Sequence, residues 1–67
     1  MDLSNYSDNG LLALHEAIIK ALNIDDAISE GMSKEYNVRK FSDWREWANS
    51  LEAELIKRDI SYPTIPW

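Results

Sequence analysis

From Leu11 onward apolar residues recur at helical spacing. Leu11, Leu14, Ile18 and Leu22 form a stripe with Ala21 alongside, and Leu12, His15 and Ile19 widen it. Residues three and four apart share one face of a 3.6-residue helix, so this pattern predicts an amphipathic helix that buries more than one narrow face. The periodicity continues through Ile24, Ala27 and Ile28 to Gly31, a residue suited to a left-handed stop. Asn23 followed by Asp26 equally fits a break and a second short helix. The polar opening offers Ser4, Ser7 and Asp8 as caps.

A second helical stripe is sharper. Trp44, Trp47, Ala48, Leu51 and Leu55 fall on one face, whereas Arg45, Glu46, Asn49, Ser50, Ala53 and Lys57 fall on the other. Ser42 and Asp43 open this helix, and Asp43 with Glu46 suits a capping box. Glu54 stands one turn before Arg58, and Lys57 and Arg58 close the helix where its dipole favours positive charge. The register assigns both tryptophans to a core packed against the first helix.

Between the two stripes, residues 32–41 read MSKEYNVRKF. Tyr36, Val38 and Phe41 favour strand, and Tyr36 and Val38 alternate with Glu35, Asn37 and Arg39, which predicts a short extended element or miniature hairpin. A plain loop between helices is the alternative. After the second helix, Pro63 and Pro66 exclude further helix from Asp59 to Trp67. Ile60, Tyr62, Ile65 and Trp67 make this segment too apolar for a solvated tail. They suit docking into a partner's groove, and they equally suit folding back over the chain's own core. The expected fold is α+β and mostly helical, with two helices flanking a short hairpin over residues 1–58 and an extended docking segment over 59–67. An all-α fold is the alternative.

Composition narrows the chemistry. With 67 residues the chain is one small domain that buries only about 60% of its unfolded surface. Without cysteine, thiolate metal sites, disulfides and thiol nucleophiles are excluded. His15 is the single histidine and has no chelating partner at i+4, while Asp25 and Asp26 lack the pattern of a calcium loop. No glycine-rich phosphate cradle or nucleophile elbow occurs. No cofactor, metal or catalytic residue is therefore expected, and enzyme is the least favoured class. No apolar run approaches the roughly 18 residues of a membrane span, and no leader opens the chain; a soluble intracellular-type domain without membrane contact is expected.

Charge changes the picture through its placement. The net charge is −5, and residues 1–32 hold six acids against one base, so they carry the whole excess. Lys34, Arg39, Lys40 and Arg45 are interleaved with Tyr36, Phe41 and Trp44. Such a cluster binds single strands by stacking and phosphate contacts, but the overall acidity weighs against direct nucleic-acid binding and towards protein partners.

The element order also carries a resemblance. The helix LLALHEAIIKAL leads through EGMSKEYNVRKFS into SDWREWANSLEAELIKRD. Over about residues 10–58 this resembles the small head–tail joining proteins of tailed bacteriophages, the gpW type, through an arginine shortly before a Ser-Asp helix start and an LEAEL ending to helix two. The resemblance implies two helices enclosing a small hairpin and a non-enzymatic assembly role. Copies would bind beneath the portal ring in the virion neck after a cytoplasmic stage in the host cell. It also implies that Ile60, Tyr62, Ile65 and Trp67 dock on a ring neighbour, and that Arg39, Lys40 and Arg45 meet an acidic connector surface. The passage YNVR departs from the family in lacking a glycine turn, and ISYPTIPW departs in being apolar. A second reading belongs to another class: a small acidic inhibitor of a host nuclease or defence protein, with Asp25, Asp26 and Glu30 imitating phosphates.

Overall fold

The computed structural model describes residues 2–67. Two helices, α1 (Asp8–Ala27) and α2 (Ser42–Lys57), pack as an antiparallel hairpin. The Ser7 hydroxyl starts α1 by accepting the Gly10 amide at 3.0 Å. The helix stops at Ala27, earlier than Gly31: the backbone turns extended at Ile28, and Lys34 Nζ donates to the carbonyls of Asp25 in the last turn (2.9 Å) and of Ile28 just beyond it (2.6 Å). Gly31 does adopt a left-handed φ of 86°, but within the loop beyond the helix. Helix α2 begins after Phe41, which offers no capping side chain, so Ser42 and Asp43 lie inside the first turn and the capping box does not form. Lys57 falls in the last turn as its charge favours.

The interior is the seam predicted from periodicity. Leu11, Ile18, Ala21 and Leu22 of α1 meet Ala48, Leu51 and Leu55 of α2, and Leu3, Val38 and Ile65 seal the periphery. Trp44 and Trp47 flank this core and remain partly exposed, with ring centroids 6.1 Å apart. His15, fully buried, joins the seam by a 2.7 Å contact between Nε2 and Glu52 Oε2, and lies edge-on to Tyr62 at 5.0 Å.

The α+β expectation is overturned. Among the described residues there is no strand, and residues 32–41 form turns and irregular loop, so the fold is all-helical. The reason lies in where the backbone donors go. The amides of Tyr36 and Val38 point at the carboxylate of Asp25, at 2.8 and 2.9 Å, and not at a neighbouring strand. Asn37 between them has φ 56°, a left-handed conformation that breaks any extended run. The alternation of Tyr36 and Val38 nonetheless has a use: Val38 enters the core, while Tyr36 turns out against the edge of Trp44.

The segment after α2 folds back on the chain's own core. Asp59 turns it with a φ of 60°, and the Ile60 amide bonds to the Leu55 carbonyl at 2.9 Å. From there the tail returns along the hairpin to the first turn of α2. Ile65 is buried on the way, and Ile60, Tyr62 and Trp67 pack partly buried against the core.

Candidate functional site

The loop, the start of α2 and the tail converge on one concavity of about 310 Å³. Its lining includes Arg39, Lys40, Phe41, Ser42, Arg45 and Trp67, with Val38 behind them. Local chemistry fixes each one. Val38 is anchored by burial and by its amide bond to Asp25, which sends Arg39 outward beside the last turn of α1. There Arg39 Nε and Nη2 donate to the two carboxylate oxygens of Asp26, at 3.0 and 2.9 Å. Arg39 Nη2 also donates to the Pro66 carbonyl at 3.1 Å, which ties the tail to the loop. The left-handed Asn37 accepts the amides of Lys40 and Phe41 at 3.1 Å each, a tight turn that delivers Phe41 to the start of α2. Arg45 stands one helical turn further on, with its guanidinium carbon 4.7 Å from the centroid of Trp67. Cation–π contact of this kind holds the indole over the site.

The electrostatics are uneven. Within the ion pair, the Arg39 guanidinium holds the Asp26 carboxyl below its usual range, against the opposing effect of burial. The same hydrogen bond strengthens the basicity of Arg39. Among the described residues, Lys40 and Arg45 have no carboxylate within ion-pair distance. Phe41 is 50% exposed, and the first-turn amides of α2 receive no side-chain cap. The arrangement presents positive charge beside aromatic surface. A second concavity, of about 410 Å³, follows the α1/α2 seam and is lined by Ala17, Ala21, Ile24, Tyr36, Trp44 and Trp47, with Lys20 at its rim.

The structure therefore brings together four of the residues singled out as partner-binding: Arg39, Lys40, Arg45 and Trp67. It places Ile65 in the core, and Ile60 and Tyr62 against it. The acidic trio is not brought together as an open face. Asp25 is 3% exposed, and both its oxygens accept backbone amides. Asp26 is paired with Arg39, which leaves Glu30 exposed by itself.

No family model matches the chain, and neither the curated proteins nor the solved structures give a significant match. The site must be read from its own geometry.

Phe41, read in the sequence both as extended and as part of the basic and aromatic cluster, lines the concavity beside Lys40 and Arg45. The role that escaped the sequence reading is that of Asp25. Asp25 was assigned to a docking face, although its position held a signal: an aspartate in the last turn of a helix opposes the macrodipole, so its carboxylate needs another partner. Burial works against ionising Asp25, but the amides of Val38, Tyr36 and Glu35 and the charge of Lys34 outweigh it and hold the carboxyl below its ordinary value. Among the described residues no cluster of three or more histidine, aspartate or glutamate side chains could hold a metal, and no helix is long and apolar enough to cross a membrane.

Proposed function

We propose that this chain is a non-enzymatic assembly protein that works by protein–protein contact, with the concavity of Arg39, Lys40, Phe41, Arg45 and Trp67 as its contact face. The observation that carries this reading is the placement of Lys40 and Arg45. In a chain of net charge −5, both adjoin one hollow beside exposed aromatic surface and, among the described residues, lack a carboxylate partner. Interface cores favour aromatic and arginine residues in this way. The acidic-inhibitor reading loses its support, because Asp25 is consumed inside the fold and Asp26 is neutralised by Arg39.

The narrower role, a head–tail connector component beneath a portal, rests on the order of helix, passage and helix and on Arg39 standing shortly before Ser42 and Asp43. The hairpin that would have strengthened it is replaced by the loop built on Asp25. A photo-crosslinking residue at Phe41, compared with one at the exposed Ala53 of α2, tests both levels in the producing cell. A single protein crosslinked from position 41 and not from 53 supports the contact face, and a portal or connector subunit as that protein supports the narrower role. Equal crosslinking from both positions, or none from 41, overturns the reading.

A further inference from the structure

Resting on that reading, we infer that the occupant of the concavity is a short acidic peptide segment of the partner, with carboxylates flanking an apolar side chain. The three cations are not equivalent, and their differences define the ligand. Arg39 already gives Nε and Nη2 to Asp26 and Pro66, so it shapes the wall and has only Nη1 left to offer. Arg45 sits over the Trp67 ring at 4.7 Å and makes no side-chain hydrogen bond among the described residues, which leaves its guanidinium N–H groups for an acceptor. Lys40 has no carboxylate partner among the described residues, and its ammonium stands 5.7 Å from the Phe41 centroid. In the same hollow the half-exposed Phe41, together with Trp67, offers ring surface that a carboxylate alone would leave uncovered. An acidic residue at each cation with an apolar residue between them satisfies all three features.

A long polyanion fits less well. Affinity for a nucleic acid grows with the number of phosphates neutralised, and this hollow supplies two free cations and part of a third. Asp43 stands close by in the first turn of α2, and the protein's net negative charge opposes the rest of the strand. The seam groove gives no comparable charge, since Lys20 lies 3.5 Å from Glu16.

The test is an NMR titration of the full-length ¹⁵N-labelled chain with three probes: the capped peptide Ac-GEDFEG-NH2, its amide counterpart Ac-GQNFQG-NH2, and a thymidine hexanucleotide. The acidic peptide should shift the indole N–H of Trp67 and the backbone amides from Arg39 to Arg45, with an affinity that weakens several-fold as salt rises. Lys40→Gln and Arg45→Gln should each weaken it by about tenfold, the loss of one charge-assisted contact. Lys57→Gln, which removes a cation remote from the hollow, should change nothing, and circular dichroism of all three variants checks that they fold. Equal shifts with the amide peptide, stronger shifts with the oligonucleotide, or no shift at all would each overturn the acidic-segment inference. A specific crosslink from position 41 would still stand in those cases and would point to a partner of other chemistry, so the two claims fail separately.

Discussion

The two ends of the helical hairpin are closed by opposite chemistry. At the loop end an anion gathers backbone donors: Asp25 accepts the amides of Tyr36 and Val38. At the open end a cation gathers backbone acceptors. Arg58 donates to the carbonyls of Leu3 (3.2 Å), Ser4 (3.2 Å) and Tyr6 (2.8 Å), and pairs with Asp8 and Glu54 at 2.9 Å each. Its two carboxylates raise the basicity of Arg58, that of Glu54 foremost. The difference is burial. Asp25 is sealed beneath Val38, and an unmade bond there leaves amides stranded from water. Arg58 is 20% exposed, so water can replace much of what it supplies. One end should therefore behave as part of the core and the other as a strap.

Leu51 lies fully buried in the seam between the two ends, and removing it sets the scale. Leu51→Ala should cost about 2–5 kcal/mol and lower protection at both ends together, read by denaturant melts and hydrogen exchange. A loss confined to one end would show that the ends are not held by one seam. Asp25→Asn comes next. An amide side chain has only one oxygen to accept what two carboxylate oxygens now accept, so exchange should quicken across residues 34–40 while residues 3–8 keep their protection. Loss at the N-terminal strap in this variant would contradict the separation of the two ends.

Acid should sharpen the same contrast. The folded chain holds the Asp25 and Asp26 carboxyls below their ordinary values, so the unfolded chain takes up protons first as pH falls. The stability they contribute is present above the unfolded aspartate value of about 3.9 and drains away as pH drops through the lower folded values. Melting temperatures followed into acid should fall less steeply in Asp25→Asn than in the parent. Identical slopes would remove Asp25 as the acid-sensitive group. At the strap, Arg58→Gln should release residues 3–7 to rapid exchange and proteolysis with a smaller change in melting temperature than Asp25→Asn. A larger change would invert the comparison. Ser7→Ala, which removes only the α1 cap, should cost about 1 kcal/mol.

The helices were legible because their interior is apolar and periodic: Leu11, Ile18 and Leu22 facing Leu51 and Leu55 follow from spacing alone. The loop was not, because its organising contact joins Asp25 to backbone amides thirteen residues away or fewer, and amides carry no sequence signature. Strand propensity in Tyr36 and Val38 was real, but one buried carboxylate offered those donors a better partner than any strand the chain could supply. His15 falls on the widened stripe of the first helix, and it is fully buried there. Its pairing with Glu52 depends on the interhelical register, which residue spacing within one helix does not specify. Of the contact face, the cations Arg39, Lys40 and Arg45 and the indole of Trp67 were visible as types. Their convergence was not, since it depends on the tail turning at Asp59.

Pro63 and Pro66 were first of interest as helix breakers, but they also set a length. From the Leu55 carbonyl that anchors Ile60 to the Arg45 guanidinium that meets Trp67 is ten helical steps, about 15 Å of rise. The tail must cover that return in seven steps. Coiled as a helix it would reach only about 10 Å, whereas stretched in the form proline prefers it reaches about 22 Å. The prolines thus act as a spacer that lets the last indole arrive. Shortening the stretch by a few residues would leave the hollow without its far wall, even with every cation still in place.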